Sequence, residues 1–328
     1  MDKQLLRDLY VARGAAEDEI AQALAAVARL EANLMKLGIS IGEATVDDLR
    51  AYVDALVSEG PVDRSELLAL ARFFYANKSH DIYIYFTQLF GSRGVMENIS
   101  NRLADTQGPE VAQRILGDFA PPALGTPLTE MPARTADFMQ RLQGSLSPEQ
   151  CRDVLTGNNH GIRAESFLEE RALYLASSSL DQYLREYHQR GVAELQSHCA
   201  EGKIWYEQVI TPDVVDFVRG NQEILSAVRA GDKIYATKIP YDTVHLLTER
   251  DPARRRYHVC HCPFVREALL SGELQVDGNW CYCSAGFVKF PFEVIFDTTL
   301  GIELLESPLL GHDRCRFAIT LPDDLPVK

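Results

Sequence analysis

Apolar residues recur three or four positions apart through the first third of the chain. Ala21, Leu24, Ala25 and Ala28 share one helical face, and Val27, Leu30, Leu34 and Leu37 run beside it. Gln22, Arg29, Glu31 and Lys36 fill the positions between. This period predicts helices only over residues 1–119. Thr45-Val46-Asp47-Asp48 reads as a capped start to a helix over 49–57, because a threonine hydroxyl and an acid three residues on can satisfy each other's backbone donors. Gly60-Pro61 stops that helix; Ser65 is the expected cap of the next, over 66–77, and Asp81 opens another toward Phe90.

The pattern lapses over 120–134, where Pro121, Pro122, Pro127 and Pro132 predict a linker. Beyond it, residues 135–328 are expected to form one domain. Ser147-Pro148-Glu149-Gln150 caps a helix that ends at Gly157, and a long amphipathic helix is predicted over 165–199, closed by Gly202. Strands are then expected at 204–210, 233–238 and 257–260. Helices followed by strands predict an α+β chain: an all-α N-terminal domain, then an α+β small-molecule-binding domain with an antiparallel sheet.

Composition narrows the function classes. The 328 residues are 46% hydrophobic and 24% charged, with a net charge of −14. No apolar run reaches the roughly 18 residues that span a bilayer, and the first residues lack a basic-then-apolar leader, so a cytoplasmic protein without a membrane partner is expected. Residues 45–90 loosely resemble the helical core-binding domain of phage-type integrases, which would imply DNA contact. Residues 1–118, however, carry 12 Lys and Arg against 18 Asp and Glu, the wrong balance for displacing counterions from phosphates. A packing or dimerisation module is the expectation there, and nucleic acid is not the expected partner; a regulatory protein whose helical domain binds a partner or DNA is the remaining alternative.

Candidate chemistry concentrates in the seven cysteines. Without an export signal they are expected as thiols rather than as a disulfide framework. Cys260-His261-Cys262-Pro263 and Cys281-Tyr282-Cys283-Ser284 form a twinned motif, each pair followed by an expected helix: one over 265–270, ended by Gly272, the other over 284–297. Cys262 and Cys283 would then stand at helix N-termini, where unsatisfied N–H groups lower a thiol pKa, making them the candidate nucleophiles. Cys260, Cys281, Cys315 and His261 are candidate ligand-lining residues. In the alternative, Cys260, Cys262, Cys281 and Cys283 hold a metal, zinc first, with His258 or His261 in reserve. An extended Cys-x-Cys separates its residues by about 6.6 Å, so chelation by one pair needs a kinked backbone. Core filling by buried thiols is the plain third reading.

Cys151 and His160 form a secondary candidate couple across Gly157-Asn158-Asn159. Lys238 and the Arg254-Arg255-Arg256 run offer charge for an anion, although the arginines read as a solvated turn. No phosphate-binding glycine loop, zinc-protease motif or hydrolase nucleophile elbow is found.

The C-terminal Gly311-His312-Asp313-Arg314-Cys315-Arg316-Phe317-Ala318-Ile319 reads as a tight turn into a strand with Cys315, Phe317 and Ile319 on one face. It resembles the closing strand of the 4-vinyl reductase-type domain and the related thiazoline-carboxylate hydrolase family, over about the last 120 residues. The resemblance implies an α+β small-molecule-binding fold, often dimeric, with cysteines lining a pocket and cleavage of a C–N or C–S bond as its chemistry. Ser307 stands where the 4-vinyl reductase-type pattern has a further cysteine, and Leu304 where it has an acid. The twinned Cys-x-Cys is more similar to an uncharacterised bacterial family.

Overall fold

A computed structural model describes residues 1–272 and 276–327. The chain divides into two compact units, one of residues 1–93 with 122–130, the other of 94–121 with 131–328.

The first unit is helical. α1 (Lys3–Ala12), α2 (Glu17–Lys36), α3 (Val46–Glu59), α4 (Arg64–Ala76) and α5 (His80–Gly91) each bury the apolar stripe that the period marks. Leu30, Leu34, Leu49, Leu70, Phe74 and Phe86 are among the fully buried members of one core, with the Phe74 and Phe86 rings stacked at 6.1 Å. Thr45 and Asp48 form the expected reciprocal cap of α3. The cap of α4 is Asp63 rather than Ser65: its carboxylate accepts from the Ser65 backbone and hydroxyl, so Ser65 belongs to the first turn.

The second unit begins before the expected linker. α6 (Val95–Gln107) and α7 (Pro109–Leu116) group with it, whereas the proline-containing segment 122–130 groups with the first unit. α8 (Met131–Gln143) and α9 (Pro148–Leu155) follow, the latter with the Ser147–Gln150 capping box. The expected long helix is broken into a single 3-10 turn, α10 (Leu168–Ala176) and α11 (Leu180–Glu201). Three serines cause the break: Ser179 leaves helical geometry and its hydroxyl accepts from the Gln182 backbone, a local bond that competes with helix continuation.

The strand expected at 204–210 is a minimal hairpin of β1 (Ile204–Trp205) and β2 (Gln208–Val209), because Tyr206 turns the chain with a φ of 50°. After α12 (Pro212–Arg219), β3 (Val228–Ala230), β4 (Lys233–Thr237), β5 (Gly301–Glu306) and β6 (Arg316–Thr320) make an antiparallel sheet in the order β3-β4-β6-β5. β3 and β5 are not foreseen from the pattern; β4 and β6 are. Between β4 and β5 lie α13 (Thr243–Thr248), α14 (Pro252–Val259), α15 (Ala268–Ser271) and α16 (Tyr282–Phe296). The strand expected at 257–260 is the end of α14 instead. Asp251 accepts from the Arg254 backbone and Pro252 occupies the first helical position, so a start signal outweighs the aromatic and β-branched run, and the three arginines lie on this helix.

The chain is thus α+β. Ile234, Ala236 and Ile319 pack from the sheet onto Phe292, Ile295 and Phe296 of α16. At the other end of the same strands, Cys315 and Phe317 pack with Leu246, Val259 and Ala285. That end carries the cysteines.

Candidate functional site

Five cysteines reach this end of the sheet from three stretches of chain. Cys260 follows the last residue of α14 and Cys262 opens the turns that lead to α15. Cys281 and Cys283 lie at the start of α16, and Cys315 precedes β6, its carbonyl accepting from the Lys238 backbone at 2.9 Å. All are free thiols; all but Cys262 are buried.

The expected acid shift is not found. Burial raises every one of these thiols above the ordinary range, Cys315 to about 12. Desolvation of a thiolate exceeds what helix-start N–H groups return. Cys262 shows the competition most clearly: burial raises it, while the Trp280 indole N–H, donating to its sulfur at 3.2 Å, and the Phe264 and Val265 amides oppose the rise. It opens a turn rather than a helix, since α15 starts only at Ala268 and has four residues.

Cys283 does lie in the first turn of a long helix, and its sulfur is 3.5 Å from His160 Nε2. The couple expected between Cys151 and His160 is replaced by this one. Cys151 is buried on α9, raised by burial and then by Asp277. The loop after α9 is braced to present His160: Asn98 Nδ2 donates to the Asn159 carbonyl at 3.0 Å, Asn159 Nδ2 to the Leu155 carbonyl at 2.7 Å, and Asn158 bonds both backbone groups of Ile162. Gly286 permits the approach. A Cβ there would stand 2.3 Å from the Gly157 carbonyl oxygen, so only glycine lets α16 pack this closely on the loop.

Lys238 and Arg266 both bring positive charge to the cluster. Lys238, just past β4, donates to the Ser284 hydroxyl at 3.2 Å and lies over the Phe287 ring at 4.7 Å. Among the described residues no carboxylate pairs with it. Phe287 is exposed and its ring meets His160 edge-on at 5.2 Å, so His160, Phe287 and Lys238 frame a surface approach to Cys283. His160 is exposed by surface area, yet the protein packed around it, then Lys238, push it down to about 4. His261 is pushed to about 3, chiefly by burial, and its Nε2 meets the Ile239 carbonyl at 2.6 Å, the contact of an N–H donor. Both imidazoles are therefore neutral at pH 7.

Ser307 sits beside this group fully buried, and its hydroxyl oxygen makes no hydrogen bond of acceptable geometry among the described residues. Cys281 lies close enough for that hydroxyl to favour its thiolate, yet the contact is not directed well enough to satisfy it. A buried unpaired hydroxyl costs about 1–3 kcal/mol.

A second cluster, Asp242, His245 and His258, brings three ligand-type atoms within 4.8 Å of one another. His258 is legible from the sequence as a reserve ligand. Asp242 and His245 are not, although an acid followed at three residues by histidine is the signal of a cap that turns both side chains to one side.

The fold and these clusters define an α+β chain with a thiol-rich end to its sheet. Residues 244–325 match a family model described as "Family of unknown function (DUF6144)". The matched span contains all five clustered cysteines together with His245 and His258, and leaves out His160, Lys238 and Asp242. No curated protein and no solved structure matches the chain. No helix among the described residues is long and apolar enough to cross a membrane.

Proposed function

We propose that the second unit binds a small anionic molecule at Lys238 and acts on it through the thiol of Cys283, with His160 as the proton acceptor. The observation that carries this reading is the 3.5 Å contact between Cys283 Sγ and His160 Nε2, next to a lysine with no carboxylate partner among the described residues. A raised thiol and a depressed imidazole make a neutral couple at pH 7. Such a couple reacts by general base catalysis: the S–C bond forms as the thiol proton passes to Nε2. With a cyclic carboxylate bearing a C=N bond, the class suggested by the thiazoline-carboxylate hydrolase resemblance, sulfur adds to carbon and the proton moves through Nε2 to nitrogen. A carboxylate on Lys238 also offsets the positive charge that disfavours the imidazolium.

Paired alkylation tests the reading. Iodoacetate and iodoacetamide form the same S–C bond and release iodide, but only the first is an anion. Cys283, identified by peptide mass, is expected to prefer iodoacetate, and Lys238→Met to lower that rate about three- to tenfold, the factor for ~1 kcal/mol of partly screened attraction, with iodoacetamide unchanged. Equal rates for both reagents, unaffected by Lys238→Met, would falsify the anion site.

A thiophilic metal held by Cys260, Cys262, Cys281 and Cys283 is the second reading, favoured by the grouping of free thiols, although among the described residues only Asp242, His245 and His258 bring three ligand-type atoms within 4.8 Å of one another. A metal would deprotonate thiols that burial otherwise keeps neutral. Zinc that co-purifies at about one per chain and is lost in Cys260→Ser would establish it over the free-thiol site; metal-free protein with all seven thiols titratable would end it.

A further inference from the structure

We infer that Asp242, His245 and His258 form a binding site for a divalent transition-metal ion of the zinc class, separate in its ligands from the cysteines. Two segments build it. Asp242 caps α13: its Oδ1 accepts from the His245 backbone at 3.2 Å, which leaves Oδ2 turned toward the imidazoles. The segment is pinned to the end of α14 by backbone bonds, Tyr241 N to the Val259 carbonyl at 3.3 Å and Asp242 N to the His258 carbonyl at 2.9 Å. Asp242 Oδ2 then lies 2.7 Å from His245 Nδ1 and 3.2 Å from His258 Nδ1, with the two rings stacked at 5.5 Å.

The independent sign of a ligand is His258 Nδ1. This atom is buried and has no hydrogen-bond partner among the described residues. It stands 3.2 Å from Asp242 Oδ2, within hydrogen-bond distance but without the geometry of a bond. Two imidazole nitrogens and a carboxylate oxygen facing one another form a three-ligand set that leaves further positions for water. Two nitrogen donors favour zinc, iron(II), cobalt or nickel over magnesium and calcium, which take oxygen. The cation facing His258, Arg266, is held between the Tyr241 and Tyr257 rings at 4.0 Å from each, while His245 keeps the opposite side open, with 70% of its side chain exposed.

The test uses the full chain, freed of metal by chelation and titrated with Co²⁺ and Zn²⁺. Co²⁺ is expected to give weak d–d bands without the intense near-ultraviolet band of thiolate-to-cobalt charge transfer. His245→Ala, an exposed change that leaves the core untouched, is expected to weaken binding at least about tenfold. Cys260→Ser/Cys281→Ser is expected to leave this binding event unchanged. Binding of full strength in His245→Ala, a thiolate band that accounts for all the cobalt, or no binding at all overturns the inference.

Discussion

The two units bury different chemistry. In the first, the helices close over hydrocarbon and aromatic rings, and the buried set is what a 3.6-residue period marks in the sequence. In the second, the buried set includes four of the clustered thiols, Arg266, Lys289 and a serine hydroxyl unpaired among the described residues. A core of hydrocarbon only needs to fill space, whereas buried polar groups lower stability unless partnered. The contrast teaches where to look for function: at the sheet end that carries this cost, not in the apolar helical core.

The largest effect is expected from emptying the first core. Phe74→Ala removes a fully buried ring and should cost about 3–5 kcal/mol in urea unfolding. It should leave the alkylation of Cys283 unchanged in the folded protein; a changed rate would show that the units do not divide stability from chemistry. Gly286→Ala comes next. The methyl meets backbone, so about 1–3 kcal/mol is expected, and His160 should lose its effect on Cys283. Stability lost with that effect retained would mean that the close approach serves packing alone.

The pH dependence sharpens the comparison further. His261 is neutral in the folded chain down to about pH 3, whereas the unfolded chain binds its proton below about 6.5. The unfolded state therefore holds more protons between these values. Stability is complete above the unfolded pKa, falls with pH through the window, and stops falling on this account below about 3. His261→Asn should flatten the urea midpoint against pH by up to about one proton in that window. An unchanged slope would show that the imidazole is not held neutral. The smallest effect is Thr45→Ala, which removes the α3 cap and should cost about 1 kcal/mol, with no change in metal or anion binding.

How much of this was legible follows the same division. Local signals carried the first unit: Thr45 and Asp48 cap α3 as their spacing requires, and Ser147 with Gln150 does the same for α9. β4 and β6 were also readable, because each alternates or runs apolar into a buried layer. Tyr257-His258-Val259-Cys260 misled, since its residues favour strands and only Asp251-Pro252 upstream reveals the helix. The cysteines were visible as a group, but their sign was not: a helix N-terminus lowers a thiol, and burial, a tertiary property, raises it more. Local spacing pairs His160 with Cys151, because nothing local tells that Gly286 lets α16 approach the loop.

The rate of Cys283 alkylation by iodoacetate, followed from pH 3 to 10 in the native chain and in His160→Gln, tests the central proposal most directly. A neutral couple gives a rate that rises with a midpoint near pH 4, as His160 loses its proton, and then holds a plateau through neutrality. His160→Gln should remove the plateau. A rate that climbs about tenfold per pH unit throughout, the same in both proteins, is that of an isolated thiol and would contradict the proposal.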